Sequence, residues 1–185
     1  MAKIDSFRSF ITDGGVRPSQ FKVELGFPTG IDAGQGTSTT AGIFLIKATT
    51  LPASTIIPIE VAWRGRMAKV AGERTFANWN VTIINDGKFL IRSALERWSN
   101  LIIEHEATNG TIPPNSYTAD MVVSQLDRND IVLRKYTMSN CWPAQISEIG
   151  LDFANTSSIE EYQVEFSVDY WTTIDLPTTG ANASE

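Results

Sequence analysis

From Glu161 to Trp171 the chain alternates without a break. Tyr162, Val164, Phe166, Val168 and Tyr170 point one way, and Glu161, Gln163, Glu165, Ser167 and Asp169 the other. A period of two places successive side chains on opposite faces of a strand, so this stretch belongs in a sheet with one apolar and one polar face. The same period recurs elsewhere. Phe21, Val23 and Leu25 alternate with Gln20, Lys22 and Glu24, and Trp79, Val81 and Ile83 with Asn78, Asn80 and Thr82. Ile43–Ala48 is a short apolar run of strand character. Ile57, Ile59, Val61 and Trp63 also alternate, but Pro58 cannot donate to a ladder, so that strand is an edge or carries a bulge. Arg64-Gly65 reads as a turn, Met67–Val70 as the returning strand, and Ala71-Gly72 as a break. Met121–Leu126 and Ile131–Met138 flank the polar Asp127-Arg128-Asn129-Asp130 as a hairpin, and Ile146–Phe153 reads as extended.

Helical spacing holds in two places. From Lys88 to His105, residues Ile91, Ala94, Leu95, Trp98, Leu101 and Ile102 share one face, with Asn85 or Asp86 placed to cap the first turn. Burying about six such side chains contributes on the order of 10 kcal/mol before the entropy of ordering them. Phe7, Phe10 and Ile11 suggest a short helix over 3–12, ended by Asp13-Gly14-Gly15. Residues 26–42 carry no periodicity and read as a long loop, and Pro113-Pro114-Asn115 as another. The expected fold is mainly β (α+β): an antiparallel sandwich or barrel with one packed helix at about 88–105 and a short N-terminal helix. Residues 1–175 make a single domain and 176–185 a polar tail.

A chain of 185 residues hides about 70% of its unfolded surface, enough for a core without staples. Its single Cys excludes an intrachain disulfide and a thiolate cage, and its single His excludes a two-His metal site. There is no apolar run long enough for a membrane helix, and MAKIDSFRSF lacks a secretory h-region, so the expectation is a soluble protein made and used in a cytoplasm, or released by a route other than signal-peptide export.

Charge is unevenly placed. The last basic residue is Lys135; after it come Glu148, Asp152, Glu160, Glu161, Glu165, Asp169, Asp175 and Glu185. The last 50 residues carry −8 and the first 135 carry 15 − 13 = +2. Such polarity repels phosphates and argues against tight nucleic-acid binding through this region. It suits either solubility or a surface that sits near DNA without holding it.

No catalytic constellation emerges. His105 and Cys141 could in principle pair as base and nucleophile, but His105 falls at the frayed end of the helix, and Cys141, between Asn140 and Trp142-Pro143, reads as a small buried hydrophobe. Asp127, Asn129 and Asp130 lack the Gly and bidentate Glu of a calcium loop. Glu104 and Glu106 flank His105 with no cleft to work in, and Asp13-Gly14-Gly15 has neither a preceding strand nor a following Lys. Trp63, Trp79 and Trp98 keep phase with apolar neighbours and read as core. The expectation is a chain with no catalysis, cofactor or metal. The last strand carries no Lys, the usual guard of an open edge, so it is expected to be paired by another chain.

Four stretches carry a resemblance: FRSF with VRPSQFKVEL, KATTLPASTIIPIEVAWRGRMAKVAGERTFANWNVTIIND, CWPAQISEIGLDF, and EYQVEFSVDYW. In order and spacing, from about residue 4 to 172, they resemble the tail tube proteins of contractile-tailed, T-even-like bacteriophages. The Gly/Thr-rich loop at 27–41 looks longer than that family's, and the chain runs further past Trp171.

The resemblance implies a subunit of hexameric rings that stack into a hollow tube inside a contractile sheath, a virion component assembled in the host cytoplasm. Its implied partners are itself, the sheath, the baseplate and the tail terminator, with DNA passing through the lumen without specific binding. Related subunits form type VI secretion and contractile injection tubes, which is the alternative within the same class. A monomeric β-barrel ligand carrier with a closed apolar pocket is the alternative outside it. On the tube reading, Glu161, Gln163, Glu165, Ser167 and Asp169 would line the channel. Glu60, Arg64, Arg66, Lys69, Glu73 and Arg74, around a projecting turn, would contact the next ring.

Overall fold

The computed structural model describes residues 15–29, 31, 43–106, 110 and 113–175, together with Ile4. The strands are β1 (Phe21–Glu24), β2 (Ile46–Thr49), β3 (Ser54–Trp63), β4 (Arg66–Phe76), β5 (Trp79–Ile84), β6 (Ala119–Leu126), β7 (Val132–Ile146), β8 (Glu161–Ser167) and β9 (Tyr170–Asp175). One long helix, α1 (Leu90–Ile102), separates β5 from β6.

The main sheet runs β1-β6-β7-β8-β5-β2, and every pairing in it is antiparallel. The 15-residue β7 holds it together. Its first half pairs with β6 on one side and β9 on the other; its second half pairs with β8. The change of partner falls at Asn140, which sits in the left-handed region at φ 55°. Asn tolerates that conformation, and the Asp120 carboxylate fixes it by accepting the Asn140 amide at 3.1 Å. The mainly β, antiparallel sandwich-like fold with one packed helix is as the sequence predicts.

Three aromatic rings fill the space between sheet and helix. Trp79 and Phe166 lie 5.4 Å apart, Trp98 and Phe166 6.2 Å, and all three are fully buried. The buried face of α1 is Ile91, Ala94, Leu95 and Trp98, as its spacing predicts. The Trp98 indole N–H donates to the Tyr117 carbonyl at 2.5 Å, so the ring enters the core with its polar atom satisfied. Asp86 accepts from the Leu90 amide at 2.9 Å and from the Lys88 amide at 3.3 Å.

Several boundaries differ from expectation. The helix begins at Leu90, not Lys88, because Phe89 is left-handed (φ 52°), and it ends at Ile102 because Ile103 is extended and bridges to Gly110. Residues 43–45 are helical, and strand begins only at Ile46. Strand β4 runs straight through Ala71-Gly72, while β7 stops at Ile146 and leaves 147–160 without regular structure. The alternation from Glu161 ends at Ser167; the chain turns at Val168-Asp169 and returns as β9. Strand β8 is not an open edge, since β5 and β7 flank it. Its lack of Lys reflects that interior place. The expected N-terminal helix, apart from Ile4, most of the 26–42 loop, and the 176–185 tail lie outside the described residues.

Candidate assembly interface

Strands β3 and β4 form a two-stranded sheet of their own, separate from the main one. The turn between them is Arg64-Gly65 at φ 47° and 79°. Two left-handed residues in a two-residue loop match the twist of a hairpin. The predicted bulge lies between Ile56 and Pro58. It brings Gly72 against the ribbon, where a Cβ would meet the Ile57 carbonyl at 2.4 Å, so the glycine admits the close approach instead of breaking the strand.

Every residue of β3 is exposed, and along β4 only Gly72 and Phe76 are half-covered. The ribbon has two unlike faces. Ile59 pairs with Val70, Val61 with Ala68 and Trp63 with Arg66, giving an apolar face capped by a charge. Pro58 pairs with Ala71, Glu60 with Lys69 and Ala62 with Met67 on the other. Glu60 and Lys69 form a salt bridge at 3.5 Å, and Arg64 lies over the Trp63 ring at 5.2 Å. All six residues expected at a ring contact, Glu60, Arg64, Arg66, Lys69, Glu73 and Arg74, stand exposed on this hairpin or its turn. Trp63 corrects the sequence reading. It is 67% exposed and not core, because its in-phase apolar neighbours form a surface stripe of their own.

A second surface is the outer face of the β7-β8-β5-β2 wing. Tyr162, Val164 and Phe166 turn inward and are buried, leaving Glu161, Gln163, Glu165 and Ser167 on the far side. Across the ladder, Asn80 stands opposite Glu165 and Thr82 opposite Gln163. The carboxylates are locally held. Lys47 pairs with Glu161 at 2.5 Å, and the Asn78 side-chain amide donates to Glu165 at 2.6 Å. Asp169 does not continue this row. It lies in the β8–β9 turn and accepts from the Asn140 side-chain amide at 2.9 Å.

Within the main sheet, among the described residues, β1, β2 and β9 are each paired along one side only. Strands β1 and β2 carry Lys22 and Lys47, which blunt an edge, whereas β9 carries no Lys and exposes Tyr170, Thr172 and Ile174. The unguarded edge is therefore β9. Its signal, an apolar and hydroxyl-rich strand without Lys, is in the sequence but merges with that of β8.

Cys141 is buried, and that burial pushes its thiol up to about 12, with Asp120 and Asp169 adding to the rise. His105 is exposed. A thiol so far from ionising is a poor nucleophile. No group of three or more His, Cys, Asp or Glu among the described residues is placed to hold a metal ion.

The profile of the family described as phage tail tube protein matches residues 16–174. The tail tube protein of Enterobacteria phage T4 is 31% identical over 170 residues, covering 90% of this chain and 97% of that one. The tail tube protein of Serratia phage KSP90 is 27% identical over 167 residues, covering 88% and 92%. In fold, the chain is similar to a subunit of the sheath/tube terminator of an extracellular contractile injection system (TM-score 0.62, 14% identity, 86% of this chain and 96% of that one). It is also similar to one in the sheath–tube complex of such a system (TM-score 0.58, 15% identity, 91% and 97%). A solvent-surrounded hairpin, an unguarded strand edge and this span of sequence agreement lead to one assignment: the chain belongs to the phage tail tube protein family.

Proposed function

We propose that this chain is the repeating, non-catalytic subunit of the tail tube, closing into hexameric rings that stack into a hollow conduit through which DNA leaves the particle. The observation that carries this is the β3–β4 hairpin, whose large apolar side chains Ile57, Ile59, Val61, Trp63, Met67 and Val70 are all exposed. A contiguous exposed apolar surface of this kind marks an interaction site. The open β9 edge supplies a second contact, since an added strand brings main-chain hydrogen bonds to a neighbour. Unlike patches that meet head to tail close a ring when the rotation permits.

The polar outer face of the β8 wing suits a lumen wall. Glu161, Gln163, Glu165 and Ser167 present oxygens and amides to the channel, and Asp169 adds a carboxylate at its end. Lys47 is already engaged by Glu161, so the face offers phosphates little to hold. The hairpin, with its six charged residues, faces the next ring. Sheath, baseplate and terminator complete the set of partners. A ligand-carrier role is disfavoured, because Trp79, Trp98 and Phe166 occupy the interior that a carrier would leave open.

Negative-stain microscopy of the purified protein across a concentration series tests the reading. Rings or tubes that grow with concentration are expected. A particle that stays monomeric at every concentration, alone and with baseplate present, would overturn it.

A further inference from the structure

We propose that the 147–160 loop of one copy is the receptor for the β3–β4 hairpin of the next, so that successive copies join end to end through two unlike surfaces. This rests on the reading above that the chain polymerises. It names which part of the neighbour the hairpin meets.

The loop has the surface chemistry that the hairpin lacks a partner for. Leu151, Phe153 and Ile159 are 86%, 107% and 72% exposed, which is unusual for three large apolar side chains on one connection. Glu148, Asp152 and Glu160 surround them, and there is no Lys or Arg from Tyr136 onward. The loop is therefore apolar and acidic. The hairpin is apolar and basic: Arg64, Arg66, Lys69 and Arg74 stand against Glu60 and Glu73, a balance of 4 − 2 = +2. Each patch would bury apolar area on the other while opposite charges set the register. The loop is also shaped in advance. Asp152 accepts the Ala154 amide on its side chain at 2.9 Å and the Asn155 amide on its carbonyl at 3.2 Å, a turn that holds Phe153 at its tip.

Topology puts the two patches at opposite ends of one sheet. The hairpin is closed at its base by the Ala77 amide on the Ala53 carbonyl, just before β5 begins. The loop is closed at the other end of β5 and β8, where the Ser147 amide reaches the Gln163 carbonyl and the Asn85 side chain reaches Glu160. The span of β5 between them is roughly 17–20 Å at about 3.3 Å per residue. Complementary patches at the two ends of a rigid unit make a heterologous contact that repeats without limit along an axis.

The test uses two full-length variants, Trp63→Ser on the hairpin and Phe153→Ser on the loop. Both positions are exposed, so melting temperature and near-ultraviolet circular dichroism should match the parent. Each variant alone is expected to lose stacking, with the concentration needed for tubes rising at least tenfold. Mixed one to one, the intact loop of Trp63→Ser receives the intact hairpin of Phe153→Ser. Paired complexes, seen by light scattering and microscopy, should then appear without long tubes. Leu151→Ser should behave as Phe153→Ser does. The inference fails if Phe153→Ser and Leu151→Ser polymerise like the parent, or if the folded variants give no complexes on mixing. A parent protein that forms no polymer at all sinks the tube reading itself, a separate outcome.

Discussion

Phe76, the last residue of β4, sets its ring edge-on against Trp171 of β9, with centroids 6.1 Å apart and planes at 77°. Trp171 meets Tyr136 of β7 in the same manner at 6.0 Å. This stack ties the hairpin base to the unguarded edge strand, so the two assembly elements are anchored to each other. Phe76→Ala should cost about 1–2 kcal/mol, less than a fully buried ring because Phe76 is half-covered. Hydrogen exchange should quicken in β3, β4 and β9 and stay slow in β5 and β8. Uniform quickening would show that the stack holds the whole fold and not the hairpin base.

Trp98 offers a test of the core. Trp98→Phe keeps most of the ring but leaves the Tyr117 carbonyl without its 2.5 Å donor, which should cost about 1–3 kcal/mol in urea unfolding. Trp98→Ala should cost about 3–5 kcal/mol. If the Phe variant is as stable as the parent, the hydrogen bond contributes nothing.

Two glycines should separate hairpin from body. At Gly26 a Cβ would fall 2.1 Å from the Asp120 carbonyl, where β1 runs beside β6, so Gly26→Ala should lower global stability by roughly 1–3 kcal/mol. At Gly72 the clash is with Ile57 and Ile59 on the free hairpin, so Gly72→Ala should leave the melting temperature nearly unchanged and impair assembly. Equal loss of melting temperature in both would contradict the separation.

Stability should decline in alkali. Burial raises the Cys141 thiol from 9.0 to about 12, and burial raises the Tyr162 phenol as well, against the opposing charge of Arg92. An acid held protonated by the fold ionises first in the unfolded chain. The Cys141 contribution is therefore fully present below pH 9.0 and is lost between 9.0 and about 12, and the Tyr162 contribution begins to be lost only above 10.0, each at about 1.4 kcal/mol per pH unit. Cys141→Ala should flatten part of that slope. Alkylation of the native thiol at neutral pH should be slow, and rapid labelling would show that the site opens.

The lumen assignment is open to a direct measurement. Glu161→Gln, Glu165→Gln and Asp169→Asn together should slow DNA ejection while tubes still assemble. Unchanged ejection kinetics would place these side chains elsewhere. Glu161→Gln alone should also release Lys47, and because that pair is exposed the stability change should stay within about 1 kcal/mol.

Where a stretch has its own periodicity, local residue order settles the outcome. Ile91, Ala94, Leu95 and Trp98 could only bury together on a helix, and Tyr162, Val164 and Phe166 only on one face of a strand. The Pro58 bulge and the Arg64-Gly65 turn were equally local, since each follows from the conformations its own residues allow. Which neighbours those elements receive follows from the chain topology. The alternation of Ile57, Ile59, Val61 and Trp63 is the same whether a core or water covers it, and only the topology showed that these four side chains stay exposed. Likewise β8 and β9 read as one strand until Val168-Asp169 turns the chain back, which put β8 inside the sheet and left β9 at its rim. Period reports which side chains share a face, but what lies against that face depends on contacts between residues far apart in the chain.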